Sequence, residues 1–120
     1  MIPFTRADRV SGLIQEVLAE LLKKKIRDPR LAMATITSVK MSRDLKLARI
    51  YFTIYGDSQK SEAAVQGFES ARGFIKRSLA RRLNLRYMPD LKFFYDDSLD
   101  YGSHIDQLLE KIKSENGPDH

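Results

Sequence analysis

Basic side chains crowd one stretch of this sequence from which acidic residues are missing. No aspartate or glutamate lies between Glu69 and Asp90, and six cations fall inside that interval: Arg72, Lys76, Arg77, Arg81, Arg82 and Arg86. Guanidinium and ammonium groups bind phosphate oxygens, and a series of them can follow a polyanionic backbone. The stretch therefore predicts a site for nucleic acid, and for RNA in particular.

A glycine stands near the start of the same stretch. Gly73 follows Ala71 and Arg72 in a segment whose apolar spacing is helical on both sides. Glycine inside a helix costs roughly 1 kcal/mol relative to alanine, so its presence needs a reason. We interpret Ala71 and Gly73 as a bend between two helices, where bare backbone lets a sugar-phosphate chain approach. The predicted RNA site consists of Gly73 and the six cations.

Two neighbouring features have more than one interpretation. Phe74 could stack a base, but large apolar residues usually fill core space, and we favour that role. The stretch holds no aromatic pair of the kind that stacks bases. Lys23, Lys24 and Lys25 could contact phosphate, but cations near a helix C-terminus ordinarily complement the helix dipole, which is the interpretation we favour.

An acidic cluster near the end of the chain is the best candidate for catalysis. Asp96, Asp97, Asp100 and His104 could hold Mg²⁺ for phosphodiester hydrolysis. The same residues also suit a strand-to-helix turn and a helix cap, and no nucleophile, base and orienting group accompany them. We therefore expect no enzyme activity, no metal site and no cofactor. The sequence contains no cysteine, which excludes disulfides and cysteine-ligated zinc.

Composition sets the class of protein. The 120 residues are 42% hydrophobic and carry a net charge of +5, which fits one basic domain with a modest core. No apolar run approaches the ~20 residues that cross a bilayer, and the N-terminus lacks the apolar region of a secretory signal. We expect a cytoplasmic protein with no membrane partner, in which residues 1–113 form a single domain and 114–120 a polar tail.

Hydrophobic periodicity supplies the elements that position these residues. Helical spacing covers residues 6–25, a segment from 61 to about 84 with the bend at Gly73, and a last helix from Ser103 to about Ile112. Alternating spacing predicts strands at 35–41, 47–55 and 91–95, the first two as a hairpin. The order α-β-β-α-kink-α-β with a C-terminal helix predicts an α+β fold, in which helices cover one face of a three-stranded sheet.

The other face of the sheet carries alternate residues of the second strand: Arg49, Tyr51, Thr53 and Tyr55. Exposed tyrosine and arginine are frequent at protein interfaces, so a protein-binding or homo-oligomeric module is one alternative. A sheet with one solvent-facing side has the same pattern, and we favour that simpler interpretation and a monomer.

Four short stretches, in order along the chain, carry a resemblance to a known family. The element order and the bend resemble a type II KH domain in which Ala71-Arg72-Gly73 replaces the usual Gly-x-x-Gly loop. The other stretches are Asp28–Leu31, Ser42–Ala48, and Pro89–Phe93 with 96–98. Together they span almost the whole chain and are similar to the ribosome-binding factor A family.

The resemblance implies a function that composition and spacing do not show. It implies an assembly factor that binds the free small (30S) ribosomal subunit and its 16S rRNA. It further implies assistance in late maturation and 16S rRNA processing, a role in cold growth, and assembly GTPases as further partners. The alternative is a general KH-type single-stranded RNA-binding protein, which would hold short oligonucleotides about as well as intact subunits.

Overall fold

The first helix begins at a pair of reciprocal hydrogen bonds. A computed structural model describes residues 4–55 and 58–98, and helix α1 spans Arg6–Lys24 within it. Thr5 Oγ1 accepts a hydrogen bond from the Asp8 amide (3.1 Å), and the Asp8 carboxylate accepts one from the Thr5 amide (3.0 Å). These bonds satisfy amides that a helix start leaves unpaired. The bounds agree with the predicted 6–25 to within one residue.

The predicted hairpin is present. Strands β1 (Ala34–Met41) and β2 (Leu47–Ile54) pair in antiparallel register. Their connection is fixed by Asp44, whose Oδ1 accepts hydrogen bonds from Ser42 Oγ (2.6 Å) and the Lys46 amide (3.0 Å). A side chain that bonds the backbone two residues ahead is a common way to hold a tight turn.

The second long helix corrects one expectation. Helix α2 is a single helix over Ser61–Leu83, so the predicted division into two helices at Ala71 and Gly73 is not found. Phe68 and Ile75, on either side of Gly73, are both fully buried in the core. Their packing holds both halves of the helix against the sheet, and it outweighs the roughly 1 kcal/mol that one glycine costs a helix. Gly73 itself is exposed.

Strand β3 (Asp90–Tyr95) completes the sheet by pairing parallel to β2. The strand order is β1-β2-β3, and α2 forms the long connection that two parallel strands require. Helix α1 lies against β1, and α2 lies against β3 and α1. Both helices therefore cover one face of a three-stranded mixed sheet, and the predicted α+β class is confirmed.

Aromatic rings join the helix layer to the sheet. The Phe68 ring of α2 lies 4.8 Å from the Phe52 ring and 4.9 Å from the Phe93 ring, measured between centroids. The planes of Phe68 and Phe93 are only 11° apart. Every apolar residue of the sheet that is fully buried belongs to the helix-facing side. The opposite side of the sheet is consequently free of any helix among residues 4–55 and 58–98.

Some expectations fall on residues that the structure does not describe. The C-terminal helix from Ser103 and the polar tail at 114–120 lie outside the described residues, and the domain boundary at 113 stays a prediction. Neither helix of the described portion is both long and apolar enough to cross a membrane.

Candidate nucleic-acid interface

Three residues of the predicted site form one stripe along α2. Gly73, Arg77 and Arg81 are spaced four residues apart, which places them on the same side of the helix, and all three are exposed. Arg77 lies so close to Gly73 that its Nη1 would be 3.3 Å from a Cβ added there. Arg81 Nη2 donates to Ser78 Oγ at 3.5 Å. Arg77 and Arg81 form no ion pair with any residue in the described ranges, so their charges are available to a ligand.

Two other predicted cations are already paired with carboxylates. Arg72 forms an ion pair with Glu69 one turn earlier on α2, and Lys76 Nζ lies 3.6 Å from Asp90 Oδ1 at the start of β3. Lys76 therefore links the helix to the sheet edge. Partners at these distances offset part of the attraction that either cation would offer a phosphate.

Arg82 is also paired, and it connects the two helices. Its Nη2 lies 3.1 Å from Glu20 Oε2 on α1, and Lys24 Nζ lies 3.7 Å from the other oxygen of the same carboxylate. The hydrogen bond and charge of Arg82, followed by those of Lys24, hold the pKa of Glu20 below its usual range. Glu20 therefore stays ionised at neutral pH and keeps Arg82 directed toward α1.

A groove between the end of α1 and the C-terminal half of α2 brings in a cation that the sequence did not assign to the site. Lys25, Arg81 and Arg82 line a cavity of about 270 Å³, together with Leu21, Phe74 and Ser78. Phe74 is half-buried against the core, which confirms its predicted role. Lys25 shares a groove with the arginines only because two helices pack together, and no spacing within the sequence encodes that arrangement.

The last predicted cation lies elsewhere. Arg86 follows the end of α2, and its guanidinium sits 5.4 Å from the centre of the Tyr87 ring. It lines a separate cavity of about 310 Å³ with Arg6 and Lys46. The six predicted cations thus fall into three groups. Arg77 and Arg81 are exposed and unpaired within the described residues, and Arg86 lies apart from them. The remaining three are paired with carboxylates: Arg72, Lys76 and Arg82.

A different glycine, Gly67, lies at a tight packing contact within the fold. Gly67 is buried where α2 crosses the short 3₁₀ turn Pro29–Leu31, and an added Cβ would lie 3.1 Å from Leu31 Cγ and 3.3 Å from Arg30 Cβ. The same turn is fixed by Asp28, whose Oδ2 accepts from Arg30 Nη2 at 2.7 Å. The approach of an RNA backbone at Gly73 stays a prediction, whereas Gly67 is the glycine that close packing within the described residues requires.

The acidic cluster does not assemble a metal site in the part of the chain that the structure describes. Asp96 accepts hydrogen bonds from Thr37 Oγ1 (2.7 Å) and the Ser98 amide (3.0 Å), and bonds from Ser98 and Thr37 hold its pKa below the usual range. Within residues 4–55 and 58–98, no three acidic, histidine or cysteine side chains are grouped as metal ligands. Asp100 and His104 lie outside the described residues.

The basic groove and the α-β-β-α-β order can now be compared with known proteins. The family model described as Ribosome-binding factor A matches residues 6–109. The chain belongs to this family. Its name describes ribosome binding and no chemical reaction.

Relatives and solved structures of the family are similar over most of their length. Ribosome-binding factor A of Desulfatibacillum aliphaticivorans is 50% identical over 114 residues, which are 95% of this chain and 93% of the relative. The crystal structure of the family member from Thermus thermophilus has a TM-score of 0.67 at 25% identity, covering 76% of this chain and 97% of that one.

One further family structure was described in a complex. A homology model of the Thermus thermophilus ribosome binding factor A, fitted into the cryo-EM map of a 30S complex, matches with a TM-score of 0.64 at 26% identity. The match covers 78% of this chain and 97% of that one.

Proposed function

We propose that this protein is a non-catalytic assembly factor that binds the free small (30S) ribosomal subunit through its 16S rRNA. One observation carries the proposal: Arg77 and Arg81 are exposed beside Gly73 and have no carboxylate partner within the described residues. Lys25 adds a third cation across the groove. Such a surface attracts phosphate, and a related structure fitted into the map of a 30S complex supports the small subunit as the partner.

The groove favours recognition by shape. Its charged groups contact phosphates, which position a protein on RNA without reading sequence. Its one aromatic ring, Phe74, is half-buried and packs on the core, so the groove has no pair of exposed rings on which bases could stack. A surface of this kind fits one folded RNA location, and by binding an immature RNA arrangement more tightly than the mature one it shifts the folding equilibrium.

The finer roles follow from this proposal. Differential binding during late maturation would assist 16S rRNA processing by exposing or ordering the processing site. Cold growth would increase the need, because RNA misfolding is more persistent at low temperature. The protein would act as a monomer in the cytoplasm, with assembly GTPases as further partners.

Co-sedimentation with separated small subunits, large subunits and whole ribosomes tests the proposal. We expect retention on the free small subunit alone at moderate salt, and only weak binding to short oligonucleotides. Equal retention on all particles that vanishes with added salt would contradict it and favour the alternative, a general KH-type single-stranded RNA-binding protein.

Charge removal tests the assignment of the groove. Arg77→Ala with Arg81→Ala should weaken subunit binding and lower the slope of log affinity against log salt by about 1.4 to 1.8, as expected for two lost phosphate contacts. Arg9→Ala with Lys60→Ala removes the same charge from exposed positions outside the groove and is the matched control. Equal slopes in the two double variants would show that the groove does not contact RNA.

A further inference from the structure

The sheet face opposite the helices carries a row of cations across all three strands. Lys40 of β1 lies directly opposite Arg49 of β2, and Arg49 lies directly opposite Lys92 of β3. All three are exposed, and none forms an ion pair with a residue in the described ranges. Like charges directly opposite one another destabilise a sheet. The row is therefore a feature that folding alone does not favour and that a bound anion would stabilise.

An aromatic pair occupies the next row. Tyr51 lies opposite Phe94, and their rings stack with centroids 5.5 Å apart and planes 27° apart. Phe94 remains 39% exposed, although it is a large apolar side chain. Lys40 Nζ lies 5.8 Å from the centre of the Tyr51 ring, so the cations and the rings adjoin. The sequence shows Tyr51 and Phe94 far apart, and only the strand register brings them together.

The carboxylates near this face are occupied. Asp90, two residues before Lys92, forms its ion pair with Lys76 of α2. Asp96, two residues after Phe94, accepts hydrogen bonds from Ser98 and Thr37, and these bonds, with a smaller contribution from the charge of Lys40, hold its pKa below the usual range. The positive charge of Arg49 and Lys92 therefore has no neutralising partner among the described side chains.

We propose that this open sheet face is a second RNA-contacting surface, on which Lys40, Arg49 and Lys92 bind phosphates while a base stacks on the outer side of Phe94. The proposal rests on the proposed function in taking RNA as the partner. A positive track beside aromatic rings is the arrangement by which proteins hold single-stranded nucleic acid. A protein partner fits less well, because lysine is depleted from protein interfaces.

The open sheet face and the basic groove lie on opposite sides of the fold. Helices α1 and α2 lie on one side of the sheet, so the groove with Arg77 and Arg81 and the open sheet face point in opposite directions. One molecule therefore contacts two RNA segments and holds them on either side of the fold. Two linked contacts raise the overall affinity far above that of either alone.

An introduced tryptophan tests the stacking. The sequence has no tryptophan, so Phe94→Trp gives the full-length protein a single indole at this face. Titration with a twelve-nucleotide oligouridylate at low salt should quench its emission saturably, because a stacked base quenches indole. Unchanged emission would overturn the proposal. So would a blue-shifted emission in free protein that grows with protein concentration, because a second copy of the chain would then cover the face.

Charge variants test the phosphate contacts without the new residue. Arg49→Ser with Lys92→Ser should weaken binding of a labelled oligouridylate by about tenfold and lower its salt slope by about 1.4, the value for two phosphates of a single strand. Arg9→Ser with Lys60→Ser is the control and should change the slope little. Equal losses in both double variants would overturn the proposal.

The helix-face variant separates this proposal from the function on which it rests. Arg77→Ala with Arg81→Ala should weaken subunit binding but leave the quenching of the indole by oligouridylate nearly unchanged. If native protein is retained on small subunits and the indole does not respond, the sheet face is refuted and the proposed function stands. If the indole responds but native protein shows no subunit retention, the proposed function fails and the face remains an RNA-binding surface.

Discussion

Three helical glycines provide a comparison in which the same change should have three different results. Gly12 of α1 is exposed and an added Cβ would meet no atom within 4 Å. At Gly73 the added Cβ would meet only Arg77 Nη1, at 3.3 Å, and that group is the free end of a flexible side chain. At Gly67 it would lie 3.1 Å from Leu31 Cγ in the buried contact with the 3₁₀ turn.

The expected stabilities follow from these distances. Gly12→Ala and Gly73→Ala should each raise the free energy of unfolding by about 0.5–1 kcal/mol, the gain for alanine over glycine in a helix. Gly67→Ala gains the same amount but must displace packed side chains, which typically costs about 1–3 kcal/mol, so it should be destabilising. A change of 1 kcal/mol shifts Tm by about 4 °C in a chain of this length. Thermal and urea unfolding of the three variants would show whether their free energies of unfolding differ from that of the native chain in these directions.

Subunit binding separates the two stabilising variants. Gly12→Ala should bind small subunits as the native chain does. Gly73→Ala should bind more weakly, because its methyl group displaces Arg77 and fills the space that an RNA backbone would enter. If Gly73→Ala is destabilised while Gly12→Ala is stabilised, Gly73 does not lie in regular helix. If Gly73→Ala is stable and binds normally, the glycine is no part of the site.

Two further variants test the packing and the turn. Ile75→Ala should lower the free energy of unfolding by about 2–5 kcal/mol in urea denaturation, because Ile75 is fully buried; a loss below about 1 kcal/mol would mean that the core is misplaced. The hydrogen bonds of Arg30 lower the pKa of Asp28 from its usual 3.8, so Asp28 adds stability above that pH which is lost as pH falls through the lower folded value. Asp28→Asn should therefore be less stable at neutral pH and show a shallower loss of stability as the pH falls below 3.8 in acid titrations; an unchanged acid profile would contradict this.

Local patterns predicted the elements well because each depends on neighbours within a few residues. The alternation around Ile50 and Phe52 identified β2, and the capping pattern at Thr5 and Asp8 accompanies a helix start that periodicity had already located. The division at Gly73 was wrong because a single missing Cβ does not end a helix that buries core residues on both sides.

The parts of the site that were missed depend on contacts between distant segments. Lys25 and Arg81 line one groove only because α1 and α2 pack together, and Gly67 is constrained only because a turn near Leu31 crosses it. The sequence also could not predict which cations form ion pairs, because Arg82, for example, pairs with Glu20 of another helix. The sequence predicted which residues are basic and exposed, while the structure decided which charges are unpaired.

The edge of β1 is closed by α1, and this affects how the folded protein behaves at high concentration. Ser11 Oγ accepts a hydrogen bond from the Met41 amide (3.0 Å), Gln15 Nε2 donates to the Thr37 carbonyl oxygen (3.4 Å), and the strand is bulged between Ile36 and Ser38. An incoming strand needs a regular row of unpaired amides and carbonyls. Helix side chains and the bulge interrupt that row, so the native state resists strand addition and cross-β growth along this edge.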